Sequence, residues 1–314
     1  MKTALNSQSL SIILSLLAAI SFFYGFIFDE ISMGAGGFDG DFKFVKKSIA
    51  LFSQNSILES IYLFSETSNR PPLIYIMHKI LNPFFTDELG FRKTVFGVSL
   101  LIPILFFLCL KEKFHQENKN LLLLLSSIIF FNPFYRTSSF WGLEENYAIL
   151  TSLVSILFLT KILNYKNQNS WILTFYIFLV CLFSSLTIYF DQKFLFLPSL
   201  VFLKIMVSRL NLKFKVYTIL SYSFLALPYV YLIDIWGGVV PSKTQDANPN
   251  TITNVDRLLY DFYFYHLGYA STIIGFYLFP LLFFKENNLF KMIKDFTKRK
   301  ISNFILLIPF IYIL

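Results

Sequence analysis

The chain has 314 residues, 55% of them hydrophobic, 19% aromatic and only 15% charged, with a mean hydropathy of +0.60 and a formal net charge of +8. Soluble domains spend about a quarter of their residues on charge, and disordered chains are poor in aromatic and branched apolar residues, so both classes are excluded. The charges interrupt apolar runs of about 17–20 residues, enough to cross a hydrocarbon core. This is the composition of a polytopic membrane protein, and its excess of cations calls for no nucleic acid.

The first apolar run, Leu10 to Phe28, ends at Asp29-Glu30 with no small-residue cleavage site, and reads as a retained first helix. A long connection, 29–93, follows. Within it Phe42, Val45, Ile49 and Phe52 recur at helical spacing, as do Leu73, Ile76, Met77, Ile80 and Leu81. Pro71-Pro72 can start the second of these helices and Asn82-Pro83 can stop it. Both are too short to span a bilayer, so two amphipathic surface helices joined by polar linkers are expected. Further spans are expected near 94–110, 120–134, 147–163, 171–188, 194–208, 216–233 and 267–284, with another beginning at 302. The fold class is therefore all-α, a single membrane domain over 1–314 with eight or nine spans and no internal repeat. The last apolar run continues to Leu314, which leaves open whether the chain ends there or is a fragment.

More than half of the 27 Lys and Arg fall at Lys2 and in or beside 111–119, 164–170, 209–215 and 285–301. Cytoplasmic loops collect cations, so the amino terminus is expected inside and the 29–93 connection outside. Cys109 and Cys181 lie within apolar runs and read as packing residues. His78, His115 and His266 are far apart in the sequence, and no zinc pattern is present.

Groups able to do chemistry gather in the outward segments, whereas mid-span positions are almost entirely apolar; a pump or channel would more often carry ionisable residues there. Asp29-Glu30 stands where the headgroup region begins, and a partly desolvated carboxylate at that depth can act as a general base. The alternative is a pair of acids that marks a helix end. Four glycines between Gly34 and Gly40, with Asp39 and Asp41, form either a backbone segment that approaches a ligand or a solvated hinge. Arg136 and Lys193 are isolated cations on short outward loops. They would grip an anionic phosphate, or pair with Asp191, Glu144 or Glu145.

Taken together, Asp29-Glu30, the helix around 42–52 and the segment Arg70-Pro71-Pro72-Leu73-Ile74-Tyr75 resemble the GT-C membrane glycosyltransferases, most closely the protein mannosyltransferase and aminoarabinose transferase branches. The stretch from Tyr135 to Asn146, with Glu144-Glu145, is similar to their next outward loop. Asp191-Gln192-Lys193 and Trp236-Gly237-Gly238-Val239-Val240 resemble elements of the transferase that adds a terminal glucose to a dolichol-linked oligosaccharide. The resemblance implies transfer of a sugar from a polyprenyl-phosphate donor to a lipid, glycan or protein acceptor at the outer face of a membrane. A bacterial inner membrane is favoured over the endoplasmic reticulum.

In the inverting form one carboxylate takes the acceptor proton while cations receive the leaving phosphate. The resemblance implies Asp29, Glu30 or Asp41 for the catalytic acid. The family's interval to Pro71 suits Asp41, and Asp29 is placed just ahead on position. Asp39, Arg136, Glu144, Glu145, Lys193 and Arg257 are implied at the substrate, with Lys193 first among the cations, then Arg136 and Arg257. No cofactor is expected, although Asp39, Asp41, Glu144 and Glu145 could collect a divalent metal. The competing readings are a transporter or flippase of lipid-linked glycans and a non-catalytic membrane partner subunit.

Overall fold

The computed structural model describes residues 7–31, 36–68, 70–165 and 171–238. Arg257, Lys243 and the spans expected at 267–284 and from 302 lie outside them. The chain divides into two compact units, Met1–His115 with Lys119–Asp256, and Gln116–Asn118 with Arg257–Leu314; the architecture described is that of the first.

Every regular element among the described residues is helical. Five helical stretches are long and apolar enough to cross a membrane. They are α1 (Ser7–Ile27), α5 with α6 (Glu88–Ser99, Leu101–Lys113), α9 (Glu145–Asn164), α10 (Trp171–Phe190) and α12 (Leu212–Trp236). A sixth would be the bent pair formed by α7 (Lys119–Ser127), continued by a 3-10 turn to Phe131, and α8 (Pro133–Trp141), which meet at 64°. The bend has a local cause. Pro133 donates no backbone bond, and the Asn132 side chain instead accepts the N–H groups of Phe134 and Tyr135 to start a new helix. The span expected at 194–208 is a 3-10 turn, Gln192–Leu195, followed by α11 (Phe196–Val207). Twelve residues of helix rise only about 18 Å, too little to cross unaided.

The 29–93 connection holds three α-helices: α2 (Lys43–Gln54), α3 (Ile57–Ser65) and α4 (Leu73–Leu81). The first and last follow the apolar spacing. The middle one corrects the expectation of a polar linker, and Ser56-Ile57-Leu58-Glu59 explains it. The Ser56 hydroxyl accepts the Glu59 N–H, a cap that Ser-x-x-Glu encodes. The glycine-rich stretch, expected as a hinge or ligand loop, is from Gly36 to Phe42 a π-helical turn that runs straight into α2. The second long span begins earlier than 94, at Glu88, because Asp87 caps the Gly90 N–H.

Two apolar cores hold the unit together. One gathers α1, α2, α4, α5, α8 and the first turn of α9 around Phe22, Phe52, Tyr75, Phe91 and Phe140, and also takes in Leu232 and Trp236 of α12. The other lies toward the opposite end, with Ile177, Val180 and Cys181 of α10, Val201 and Ile205 of α11 and Phe214 of α12. The helices α2 and α4 bury Val45, Ile49, Phe52, Ile74 and Tyr75 against the first core. They therefore cap one end of the bundle, here termed the loop end. Leu58, Tyr62, Ile80, Leu81 and Phe84 remain exposed on that cap, an apolar surface suited to a lipid interface.

Candidate active site at the loop end

Among the described residues, three arginines at the loop end each meet one or two carboxylates. Asp29 terminates α1 with φ of 50°, a left-handed conformation that Asp tolerates. Its Oδ1 accepts Arg92 Nη2 at 2.5 Å. Arg92 in turn donates Nε to the Phe140 carbonyl at 2.7 Å, and its guanidinium stacks 4.3 Å over Trp141. Glu30 receives the planar fork of Arg136 at both oxygens, Nε to Oε1 at 2.8 Å and Nη2 to Oε2. The remaining Arg136 donors reach the carbonyls of Phe130 and Ser21. Arg70 bonds Glu144 Oε1 at 2.5 Å and stands 3.5 Å from Asp41 Oδ1.

The third pair differs electrostatically from the others. Glu144 is 4% exposed, at the foot of α9. Burial pushes its carboxyl up, the neighbouring Glu145 adds to the rise and Arg70 offsets part of it, leaving a pKa of about 7. Burial opposes the charge on Arg70, but Glu144, Glu145 and Asp41 together hold its pKa above the ordinary value. Three acids thus share one arginine whose side chain is 31% exposed. One turn further along α9, Tyr147 bonds His78 Nε2 at 2.8 Å, and the Asn82 amide meets His78 Nδ1 at 3.0 Å. An amide donated to Nδ1 leaves the proton on Nε2, a neutral tautomer that agrees with burial lowering the His78 pKa to about 4.

The residues singled out in the sequence do not form one cluster. Glu30 and Arg136 join each other. Asp41 and Glu144 join through Arg70, Glu145 accepts the Ser138 hydroxyl at 3.3 Å, and Asp39 pairs with Lys43 on the solvent side at 3.2 Å. Arg136 has the ion pair considered for it, but with Glu30 rather than Asp191, Glu144 or Glu145. Lys193 stands 3.8 Å from Asp191, with its side chain 72% exposed. Asp191 is buried; its Oδ1 caps the Lys193 N–H at 3.0 Å, while Oδ2 has no hydrogen bond. Arg92 and the site role of Arg70 were missed. Arg92 lies inside a span that begins earlier than its hydropathy suggests, and only the Asp87 cap marks that start. No three His, Cys, Asp or Glu side chains among the described residues converge as a metal site.

A cavity of about 780 Å³ opens between α10, α11 and α12. Its walls are apolar, with Ile188, Leu195, Pro198, Phe202, Leu203 and Leu225 prominent, and Tyr189, Gln192 and Tyr229 stand at its loop end. The 3-10 turn that carries Lys193 forms part of this mouth. Phe190, beside Tyr189, packs 5.2 Å from the Tyr147 ring, one turn along α9 from Glu144.

Comparison with family models, with curated proteins and with solved structures gave no match. The functional reading rests on the residues themselves.

Proposed function

We propose that the chain is a GT-C-like glycosyltransferase that moves a sugar from a polyprenyl-phosphate donor to a lipid, glycan or protein acceptor at the extracytoplasmic membrane surface. One observation carries this reading: the turn that bears the exposed Lys193 contributes Gln192 and Leu195 to the wall of an apolar groove between α10, α11 and α12. An isoprenoid phosphate needs such a combination, a lateral apolar channel for the tail and a cation at headgroup depth for the phosphate. Lys193 is suited to the second task. Its side chain is 72% exposed and only loosely associated with Asp191, whereas Arg136 and Arg92 are committed to buried bonds. The described charged residues gather at the two ends of the bundle, which favours surface chemistry over transport through it.

Asp41 is the better base of the two candidates. It is held only at 3.5 Å by an arginine engaged more closely with Glu144, whereas Asp29 is held at 2.5 Å by Arg92. In the proposed step Asp41 takes the acceptor hydroxyl proton as that oxygen bonds to the anomeric carbon. The bond from that carbon to the phosphate oxygen breaks, and the polyprenyl phosphate leaves as an anion beside Lys193. Arg70, itself held by Glu144, orients Asp41 and offsets the charge it carries.

Full-length protein in proteoliposomes, supplied with a radiolabelled polyprenyl-phosphate sugar, tests the reading. Asp41→Asn should lower kcat by about 10²–10⁴-fold with little change in donor KM, and Lys193→Ala should raise donor KM. Full turnover in Asp41→Asn and loss in Asp29→Asn would move the base to Asp29. Full turnover in both, and in the double variant, would end the general-base assignment.

A further inference from the structure

The groove wall contributed by α12 is not a uniform helix. Pro228 sits inside its 25 residues and has no N–H, so the Phe224 carbonyl loses its helical donor. The next rung has an outside partner as well. The Tyr189 hydroxyl, from α10, donates to the Leu225 carbonyl at 2.5 Å and accepts the Tyr229 N–H at 3.1 Å. Those are the two groups that helical geometry pairs at this rung, so the hydroxyl bridges them one residue after the proline, where helices bend.

The packing divides at the same place. Before Pro228, Phe214, Tyr217, Tyr222 and Leu225 belong to the core away from the loop end; after it, Tyr229, Leu232 and Trp236 belong to the loop-end core. We infer that Tyr189 is a positioning residue that latches the outer segment of α12, Tyr229 to Trp236, across a hinge at Pro228, and so sets how wide the groove mouth opens to a polyprenyl phosphate. The ligand class rests on the proposed function; the hinge does not.

The latch also explains why one hydroxyl serves two backbone groups. It ties the outer segment to the helix whose following turn carries Lys193, the proposed phosphate contact. Tyr189 stacks edge-on against Tyr229 at 5.8 Å, an aromatic seam from α10 to the outer segment, and within that segment Tyr229 meets Trp236 edge-on at 6.0 Å. Without the hydroxyl the seam remains but the polar fastening is gone.

The full chain in lipid nanodiscs provides the test, with two readouts. Nitroxides at introduced cysteines 200 and 230, both lipid-exposed positions, report the spread of distances between α11 and the outer segment of α12; native Cys109 and Cys181 are buried. Release of a fluorescent polyprenyl phosphate bearing no sugar reports the mouth. Tyr189→Phe should turn one narrow distance distribution into a broad one and speed probe release about tenfold, the scale of one lost hydrogen bond. Adding Pro228→Ala, which restores the Phe224 rung, should narrow the distribution again and slow release. If Tyr189→Phe matches the unaltered protein in both readouts, the latch is wrong. If the distances broaden while release stays unchanged, the gating role is overturned. If the distances broaden and no variant or parent binds the probe, the hinge stands and the polyprenyl-phosphate reading falls.

Discussion

Glu144 is the residue whose chemistry departs furthest from its amino-acid type among the loop-end acids. Its pKa rises in the folded protein to about 7 from an ordinary 4.5, because burial outweighs the attraction of Arg70. The folded state therefore binds the proton more tightly than the unfolded chain. The stabilisation is complete below about pH 4.5 and is lost as pH rises through about 7. Thermal unfolding in detergent should give a higher Tm at pH 5 than at pH 8, and Glu144→Gln should flatten that difference. An unchanged difference in the variant would assign the pH dependence to other groups.

Arg136 makes the opposite case, a buried cation fully engaged by Glu30 and two carbonyls. Removing one partner of such a pair strands the other, at a cost of about 3 kcal/mol. Arg136→Ala and Glu30→Gln should each lower Tm markedly, and Arg136→Lys should recover only part, since an ammonium cannot reproduce the bidentate fork. If Arg136→Ala kept its Tm but lost donor use, phosphate binding would be the better account.

At the scale of elements, the turn from α8 into α9 determines where Glu144 stands. Gly142 closes α8 with φ of 73°, and Leu143 returns its N–H to the Ser138 carbonyl at 3.0 Å. A Cβ at Gly142 would stand 2.9 Å from Phe91 Cε1, so the position is limited by backbone conformation and by space together. Gly142→Ala should destabilise by about 1–2 kcal/mol from the left-handed conformation alone, with more from displacing Phe91. It should also lower transfer activity, because the same turn launches α9 and with it the Glu144–Arg70 contact. Wild-type Tm and activity in this variant would show that the turn relaxes freely. By contrast, α3 depends on a local cap, and Ser56→Ala should cost about 1 kcal/mol without disturbing the three arginine pairs.

Across the whole molecule, the two ends differ in character. The loop end carries paired acids under a helical cap. Lys111, Lys113, Lys161 and Lys213 lie toward the other end, at the far termini of α6, α9 and α12. By the positive-inside trend we propose that this end faces the cytoplasm. An impermeant maleimide applied to intact cells should label Thr67→Cys, an exposed position of the cap, and spare Lys113→Cys until the membrane is opened. The reverse pattern would invert the proposed topology and move the reaction to the other face.

Length, apolar runs and clustered charge were sufficient to expect an all-helical chain with membrane-length apolar helices, and the described residues show five such stretches, because apolar runs of that length satisfy their backbone groups within one helix. Apolar spacing likewise located α2 and α4, and Ser56-x-x-Glu59 carried the overlooked α3. Span edges were less legible: hydropathy does not register the Asp87 cap that starts α5 at Glu88, and a 3-10 turn with a short helix carries the same apolar content as a span. Which acid meets which arginine was decided only in three dimensions. Asp29 and Arg92, Glu30 and Arg136, and Arg70 and Glu144 are separated by 63, 106 and 74 positions. Nothing in local pattern or charge count distinguishes those pairings from others of equal charge. They follow from how α1, α5, α8 and the cap pack around Phe22, Phe91 and Phe140, which brings chosen helix ends to one level. Burial then raises the pKa of Glu144, while the Lys193 side chain stays exposed.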